Sequence, residues 1–130
     1  MNLAFLNMQQ QEQKVIEEME KYTDLFGEEK SPEQTVAVKL KKTDRDGYFI
    51  HREDKQYVVE YGCLPDMCRA LLLLSGTEQQ AKSEIREKCF FSDFGIMLDL
   101  SRNAVLKTET IRQMICYAAC LGYKFVGLYM

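Results

Sequence analysis

The first pattern along the chain is that of an amphipathic helix. Between residues 7 and 26, polar Glu and Gln side chains fill one face. The opposite face carries apolar residues at helical spacing: Val15, Met19, Tyr22 and Phe26. Gly27 is a natural stop, because glycine readily adopts the left-handed conformation that ends many helices. Ser31 and Pro32 then mark a break before the next element.

Three short segments of β type follow this helix. Residues 36–40 alternate between apolar and polar side chains, which predicts a half-buried strand. The turn-forming residues 43–47 lead into two further segments, 48–52 and 57–61, whose residues favour strands. The simplest arrangement of the three segments is an antiparallel meander.

A second helix and a fourth strand complete this part of the chain. Pro65 suits the first turn of a helix. Apolar residues then repeat at helical spacing until Ser75 and Gly76 interrupt the pattern: Met67, Leu71 and Leu74. Residues 85–91 are predicted to return as another strand. Residues 1–92 therefore combine helices with an antiparallel sheet.

The pattern changes after residue 93. Residues 95–100 form a continuous apolar run, which is expected of a strand that is buried on both faces in a parallel sheet. A helix is predicted from Thr108 to Leu121, closed by Gly122, and a second apolar run covers residues 125–129. A strand, helix and strand of this size form one right-handed βαβ unit. Because one such unit cannot cover both faces of its strands, we expect the fold to continue beyond the C-terminal residue.

Composition and charge narrow the class of protein. The 130 residues, 46% of them apolar, suffice for one domain, or for a small domain and part of another. The 17 basic residues are scattered among 20 acidic ones, so nucleic acid is not an expected partner. The N-terminus lacks the pattern of a signal peptide, and the longest apolar run, 70–74, is too short to span a bilayer. We therefore expect a cytoplasmic protein without a membrane partner.

The cysteines and the single histidine give little indication of chemistry. Five cysteines without a CxxC pair are predicted to be reduced and mostly buried. Cys116 and Cys120 lie one helical turn apart, but no further Cys or His is near them in the sequence, so we expect core packing and no metal. His51 has no Ser or Cys partner and is interpreted as a structural imidazole. Residues 44–47 lack the ligand spacing of a calcium loop and are interpreted as a turn. No cofactor is expected.

Asp99 and Arg102 are the candidate site residues. They follow the end of the apolar strand, where the loops of (β/α) barrels converge to build active sites. A carboxylate and a guanidinium three residues apart can form a pair, and the remaining donors of the arginine can bind hydroxyl groups. The same pair can also serve only to cap the strand end. The residues alone leave both interpretations open.

The C-terminal segment resembles a known family. The strings G-x-M-L-D-x-S-R, over residues 95–102, and L-G-Y-x-x-x-x-L-Y, over residues 121–129, flank the segment 106–111. Together they are similar to the opening of the catalytic barrel in family 20 glycoside hydrolases, the β-N-acetylhexosaminidases. They resemble in particular the bacterial cytosolic β-N-acetylglucosaminidase branch.

The resemblance implies a fold of α+β class with two parts. Residues 1–92 correspond to the accessory domain that precedes the barrel in this family, an antiparallel sheet with helices on one face. Residues 93–130 correspond to the first strand, helix and strand of a (β/α)8 TIM barrel, which is truncated here because a whole barrel needs about 250 residues.

The resemblance also implies an activity for a longer protein. Members are retaining exo-hydrolases that remove terminal N-acetylglucosamine or N-acetylgalactosamine, with the acetamido oxygen of the substrate as the nucleophile. An Asp steadies that group and a neighbouring Glu protonates the leaving oxygen. Both lie on a later strand, so no catalytic residue is assigned and the chain alone is expected to be inactive. Arg102 corresponds to the arginine that holds sugar hydroxyls, with Asp99 orienting it.

A second hypothesis is a complete, non-catalytic α/β interaction module. Such a module is a monomer and covers both faces of the strand at residues 96–100. A fragment of a barrel instead exposes apolar faces and an unpaired strand edge, so we expect it to form a homo-oligomer. An in-frame continuation of the coding sequence with an Asp-Glu pair separates the two hypotheses.

Overall fold

A computed structural model of the chain describes residues 2–24, 35–76, 84–101 and 105–130. Within these ranges there are seven strands, which form two sheets, and three helices. In chain order the elements are β1 (Asn2–Leu6), α1 (Gln10–Tyr22), β2 (Thr35–Lys42), β3 (Tyr48–Glu53), β4 (Gln56–Tyr61), α2 (Leu64–Ser75), β5 (Glu84–Glu87), β6 (Gly95–Asp99), α3 (Thr108–Cys120) and β7 (Phe125–Tyr129).

The larger sheet is mixed, and the predicted antiparallel meander is wrong. Its strand order is β1-β2-β4-β3-β5, so β4 lies between β2 and β3. Strand β2 is parallel to both β1 and β4, whereas β3 is antiparallel to β4 and β5. The alternation of apolar residues specifies which face of a strand is buried and does not specify which strands are neighbours.

The loop between β2 and β3 explains this order. Its first residue, Thr43, donates a backbone hydrogen bond to the carbonyl of Tyr61 at 2.8 Å. Its last residue, Gly47, accepts one from the N–H of Gly62 at 3.0 Å. Both bonds hold the loop across the end of β4, so the loop passes over one strand position instead of closing a tight hairpin.

The chain begins with a strand that the sequence did not indicate. Strand β1 has five residues and pairs in parallel with β2, with α1 as the connection. The helix was predicted from residue 7, but Asn7 has a positive φ of 49° and helix α1 begins at Gln10. It ends at Tyr22, where the Thr23 hydroxyl donates to the Met19 carbonyl at 2.6 Å. Phe26 and Gly27, predicted to end the helix, lie outside the described residues.

One core joins a single face of this sheet to the helices, as expected for helices on one face. Tyr48 and Ile50 of β3, Val38 of β2 and Val59 of β4 are buried in it. The helices contribute further buried residues: Ile16 and Met19 from α1, Met67, Leu71 and Leu74 from α2, and Cys120 from α3. Helix α2 begins at Leu64 with Pro65 in its first turn, as predicted. Strand β5 was predicted over 85–91 but ends at Glu87.

The strand, helix and strand at the C-terminus are confirmed. Strands β6 and β7 pair in parallel, with Gly95 opposite Phe125 and Asp99 opposite Tyr129. After α3, Gly122 adopts a φ of 86°, and the N–H groups of Gly122 and Tyr123 bond the carbonyls of Ala119 and Ala118. This is the Schellman arrangement that glycine favours at a helix end.

One face of this sheet is exposed, in agreement with the expectation that a single βαβ unit does not cover both faces of its strands. Met97, Phe125 and Tyr129 share that face and are 67%, 51% and 60% exposed. On the opposite face Ile96 and Val126 are half-buried. Within the described ranges, no other strand pairs with β6 or β7. In the same ranges, no helix has the length and apolarity that crossing a membrane requires.

Candidate functional site

The candidate site lies where β6 and β7 end. Asp99 is the last residue of β6 and is paired with Tyr129, the last residue of β7. The N–H of Leu100 donates to the carbonyl of Tyr129 at 2.8 Å, so the two strands stay together until this point. These are the carboxyl ends of parallel strands, as the sequence predicted for Asp99.

The carboxylate of Asp99 is held by Ser101. Its Oδ1 accepts hydrogen bonds from the Ser101 hydroxyl at 2.5 Å and from the Ser101 N–H at 2.8 Å. The side-chain bond and then the backbone bond lower the pKa of Asp99 below its ordinary value. An exposed carboxylate of this kind is ionised at neutral pH. It therefore suits the role of a hydrogen-bond acceptor and not that of a general acid.

Arg102 lies outside the described residues, so its pairing with Asp99 stays a prediction. Two neighbours of Asp99 were not predicted as parts of the site. The contact between Ser101 and Asp99 could have been predicted from the sequence, because an Asp side chain often accepts a hydrogen bond from the backbone N–H two residues later. Nothing in the sequence indicated Tyr129, because this residue lies beside Asp99 only through the register of β6 and β7.

The geometry of this strand end favours binding over catalysis. Asp99 and Tyr129 lie on the same face, because they are register partners, and Tyr129 is 60% exposed. A carboxylate can accept hydrogen bonds from hydroxyl groups, and an aromatic ring offers an apolar surface beside it. Among the described residues at this end there is no second carboxylate in contact with Asp99 that could form an acid and base pair.

The other candidates lie elsewhere. His51 belongs to β3, is 17% exposed and stacks on Phe49 with 4.7 Å between ring centroids. Its Nδ1 lies 3.8 Å from a carboxylate oxygen of Glu53, as expected of a structural imidazole. Residues 44–47 form bends that lead into β3 and confirm the predicted turn. Within the described ranges, no three His, Cys, Asp or Glu side chains are placed to share a metal ion.

The five cysteines are free thiols, but fewer of them are buried than predicted. Cys68 and Cys120 are buried, and burial raises the pKa of Cys68 to about 12 and that of Cys120 to about 11. Cys116 is only partly buried, and its Sγ lies 3.8 Å from the carbonyl of Glu18. The prediction that both cysteines pack in the core is therefore confirmed for Cys120 and only in part for Cys116.

The fold is similar to that of solved family 20 glycoside hydrolases. An exo-β-N-acetylglucosaminidase of this family from Vibrio harveyi, solved with N-acetylglucosamine, matches 98% of the chain with a TM-score of 0.61 and 16% identity. A β-N-acetylhexosaminidase from Bacteroides fragilis matches the same share with a TM-score of 0.64 and 16% identity. The resemblance that the sequence indicated is confirmed at the level of the fold.

The match covers only part of each of these enzymes. The chain spans 21% of the Vibrio structure and 28% of the Bacteroides structure. No family model matches the sequence, and no curated protein is similar to it in sequence. At 16% identity the likeness establishes a shared fold and does not establish a shared activity.

Proposed function

We propose that the chain is the N-terminal portion of a retaining exo-β-N-acetylhexosaminidase. In this proposal residues 1–92 are the accessory domain, and residues 93–130 are the first strand, helix and strand of the (β/α)8 catalytic barrel. The observation that carries the proposal is the match over 98% of the chain to such enzymes, which includes both the mixed sheet and the parallel β6 and β7 pair.

The proposed substrate is a glycan with a terminal N-acetylglucosamine or N-acetylgalactosamine. Arg102 binds hydroxyl groups of that terminal sugar through its directional donors, and Asp99 orients Arg102. Two observations support the role of Asp99. It lies at the carboxyl end of a parallel strand, and its bonds to Ser101 lower its pKa, so that it keeps its charge at neutral pH.

The chemical step belongs to residues outside this chain. The acetamido oxygen of the substrate attacks the anomeric carbon, an Asp stabilises the cyclic intermediate, and a Glu protonates the leaving oxygen. Water then attacks the anomeric carbon of the intermediate from the face that the leaving group left, and the Glu takes up a proton from this water. Two successive displacements retain the configuration. The chain supplies binding and a scaffold, so residues 1–130 alone are expected to be inactive.

The alternative of a complete interaction module has less support. That hypothesis requires both faces of β6 to be covered, and Met97 at its centre is 67% exposed. A face of this kind fits a strand that is meant to be covered by further parts of a barrel.

The test compares the 130-residue chain with the product of any in-frame continuation of its coding sequence. With p-nitrophenyl N-acetyl-β-glucosaminide, we expect no hydrolysis by the chain and hydrolysis by the longer protein. Proton NMR of the first product should show the β anomer, because the configuration is retained. A stop codon directly after Met130, or a longer protein with an Asp-Glu pair but without activity, contradicts the proposal.

The site residues are tested in the longer protein. Arg102→Lys keeps the charge but loses the planar pair of donors, so KM should rise about tenfold or more. Asp99→Asn should raise KM less, because it weakens only the orientation of Arg102. Asp93→Asn is the matched control, since Asp93 is exposed and precedes β6. Equal kinetics for Arg102→Lys and Asp93→Asn would remove Arg102 from the site.

A further inference from the structure

Tyr129 is the last residue of β7 and lies directly beside Asp99, the last residue of β6. Neighbouring strands of a sheet lie about 4.8 Å apart, and register partners point to the same face. The two side chains therefore begin about 5 Å from each other and leave the sheet in the same direction. A ligand that contacts the carboxylate of Asp99 is within reach of the Tyr129 ring.

The described residues leave the ring of Tyr129 open to a ligand. Tyr129 is 60% exposed, whereas Tyr48 and Tyr61 of the core are 5% and 2% exposed. Each of these two core tyrosines donates its hydroxyl to a glutamate, Glu87 or Glu12. Core packing therefore accounts for Tyr48 and Tyr61 and does not account for Tyr129.

In the proposed barrel the ring of Tyr129 points inward. The helices of a (β/α)8 barrel lie outside its strands, and alternate side chains of each strand point to the interior. Tyr129 shares the exposed face of β6 and β7 with Met97, whereas Ile96 and Val126 on the opposite face are half-buried. The exposed face is therefore the interior face of the proposed barrel, and its layer at the carboxyl ends of the strands lies beside the active site.

The layer below Asp99 and Tyr129 is apolar. Met97 is the register partner of Gly127, and a Cβ added to Gly127 would lie 2.7 Å from the sulfur of Met97, so the Met97 side chain lies over this glycine. A thioether is only a weak hydrogen-bond acceptor. Sugar hydroxyls are therefore expected at the level of Asp99 and Tyr129 and not deeper between the strands.

From this position we infer that Tyr129 is a further substrate-binding residue, whose ring packs against the C–H groups of the terminal sugar. The inference rests on the proposed function and adds a residue to the site of Arg102 and Asp99. A pyranose ring carries hydroxyl groups around its edge and C–H groups on its faces. A charged pair with an aromatic ring beside it matches both, because the pair binds the hydroxyls and the ring covers an apolar face.

The test uses the longer protein and p-nitrophenyl N-acetyl-β-glucosaminide. Tyr129→Leu removes the ring but keeps an apolar side chain, so KM, and the Ki of N-acetylglucosamine as a product inhibitor, should both rise about fivefold. The value of kcat should change by less than about twofold, because the ring contacts the sugar equally in the ground state and the transition state. Tyr129→Phe keeps the ring, so KM and Ki should stay within about twofold of their original values.

Tyr117→Leu is the matched control. Tyr117 is 38% exposed on the last turn of α3, which leads into the start of β7 and not to its carboxyl end. This variant should keep the KM and Ki of the unmodified protein, and thermal unfolding verifies that all variants fold. A lower melting temperature of Tyr129→Leu with unchanged KM and Ki would assign the ring to stability alone and overturn the inference. Equal losses in Tyr129→Leu and Tyr129→Phe would assign the contact to the hydroxyl and overturn packing on the ring.

Failure of the proposed function gives a different result from failure of this inference. Without any hydrolysis by the longer protein, both the proposed function and the role of Tyr129 fail. With hydrolysis that responds to Arg102→Lys but not to Tyr129→Leu, the proposed function stands and only the role of Tyr129 fails.

Discussion

Tyr61, at the end of β4, donates a hydrogen bond of 2.5 Å from its phenol oxygen to Oε1 of Glu12 in the first turn of α1. The other carboxylate oxygen of Glu12 accepts a bond of 2.7 Å from the N–H of Gln9, just before the helix. Tyr61 and Glu12 are each only 2% exposed. A single buried carboxylate thus caps α1 and joins it to the sheet.

Removal of this carboxylate is expected to destabilise the fold. Glu12→Ala leaves the buried Tyr61 hydroxyl without its acceptor and removes the cap of α1, so the free energy of unfolding should fall by about 1–3 kcal/mol. Tyr61→Phe should cost a similar amount, because the carboxylate loses one of its two bonds. Urea unfolding followed by circular dichroism measures both changes.

The double variant shows whether the two side chains act together. Because the residues are in contact, the combined loss should be smaller than the sum of the single losses by at least about 0.5 kcal/mol. Tyr57→Phe, at a half-buried tyrosine of the same strand, is the control and should change stability by less than about 0.5 kcal/mol. Strictly additive losses would contradict the role of the bond.

Tyr61 should also make the stability of the fold sensitive to alkaline pH. Burial, and then the bond to Glu12, raise the pKa of Tyr61 above its ordinary value of 10.0. Burial and the bond to Glu87 do the same for Tyr48. A group with a raised pKa in the folded state contributes stability that is complete below pH 10 and is lost as the pH rises above it. Each tyrosine then adds a loss of up to about 1.4 kcal/mol per pH unit.

Unfolding in urea at several pH values between 8 and 11.5 measures this loss. The unmodified chain should lose stability steeply above pH 10. Tyr61→Phe should begin with lower stability but lose less of it over the same interval, because one titrating group is gone. The buried thiols of Cys68 and Cys120, whose pKa burial also raises, contribute equally to the loss in both proteins. Parallel curves for the variant and the unmodified chain would show that Tyr61 ionises as easily in the folded state as in the unfolded one.

How much of the fold the sequence predicts depends on how local each signal is. Helix α2 with Pro65, helix α3 with Gly122 and strand β7 were predicted within a residue or two, because a few adjacent residues decide them. The place of β4 between β2 and β3 depends on bonds from the loop at residues 43–47 to the end of β4. No pattern within a single segment reveals such a non-local bond.

The candidate site divides in the same way. The position of Asp99 followed from the apolar run before it, and its bond to Ser101 connects residues two positions apart. The approach of Tyr129 requires the register of two strands separated by a helix, which the sequence does not specify.

Two glycines with nearly the same backbone angle predict different costs of substitution. Gly122 has a φ of 86°, but an added Cβ meets nothing within 4 Å, so Gly122→Ala should cost about 1 kcal/mol for the conformation alone. At Gly47, with a φ of 85°, an added Cβ would lie 2.2 Å from the carbonyl oxygen of Glu87. Gly47→Ala must also displace backbone and should cost about 3 kcal/mol or more.

Each glycine variant serves as the control for the other in urea unfolding, because the backbone conformation is shared and only the surrounding space differs. Equal losses of stability for the two variants would show that crowding at Gly47 contributes nothing. The order of the two losses is the informative result, since both variants are otherwise the smallest possible change.

The exposed face of β6 and β7 predicts self-association of the chain. It presents the apolar side chains of Met97 and Phe125 and the ring of Tyr129, and each strand has one edge without a partner strand among the described residues. Faces and edges of this kind are covered in stable proteins, and a second copy is the partner that every solution of the chain contains. We therefore expect the mean mass in light scattering to rise with protein concentration.

Met97→Lys should lower this association, because a charge at the centre of the face opposes its burial against another chain. The stem of the lysine can still lie over Gly127, which Met97 covers in the unmodified chain, so the pairing of β6 and β7 is retained. Gln113→Lys adds the same charge at an exposed position of α3 and should leave association unchanged. A chain that stays monomeric at high concentration would contradict self-association through the exposed face of β6 and β7. Equal association of Met97→Lys and Gln113→Lys would show that the copies contact each other elsewhere.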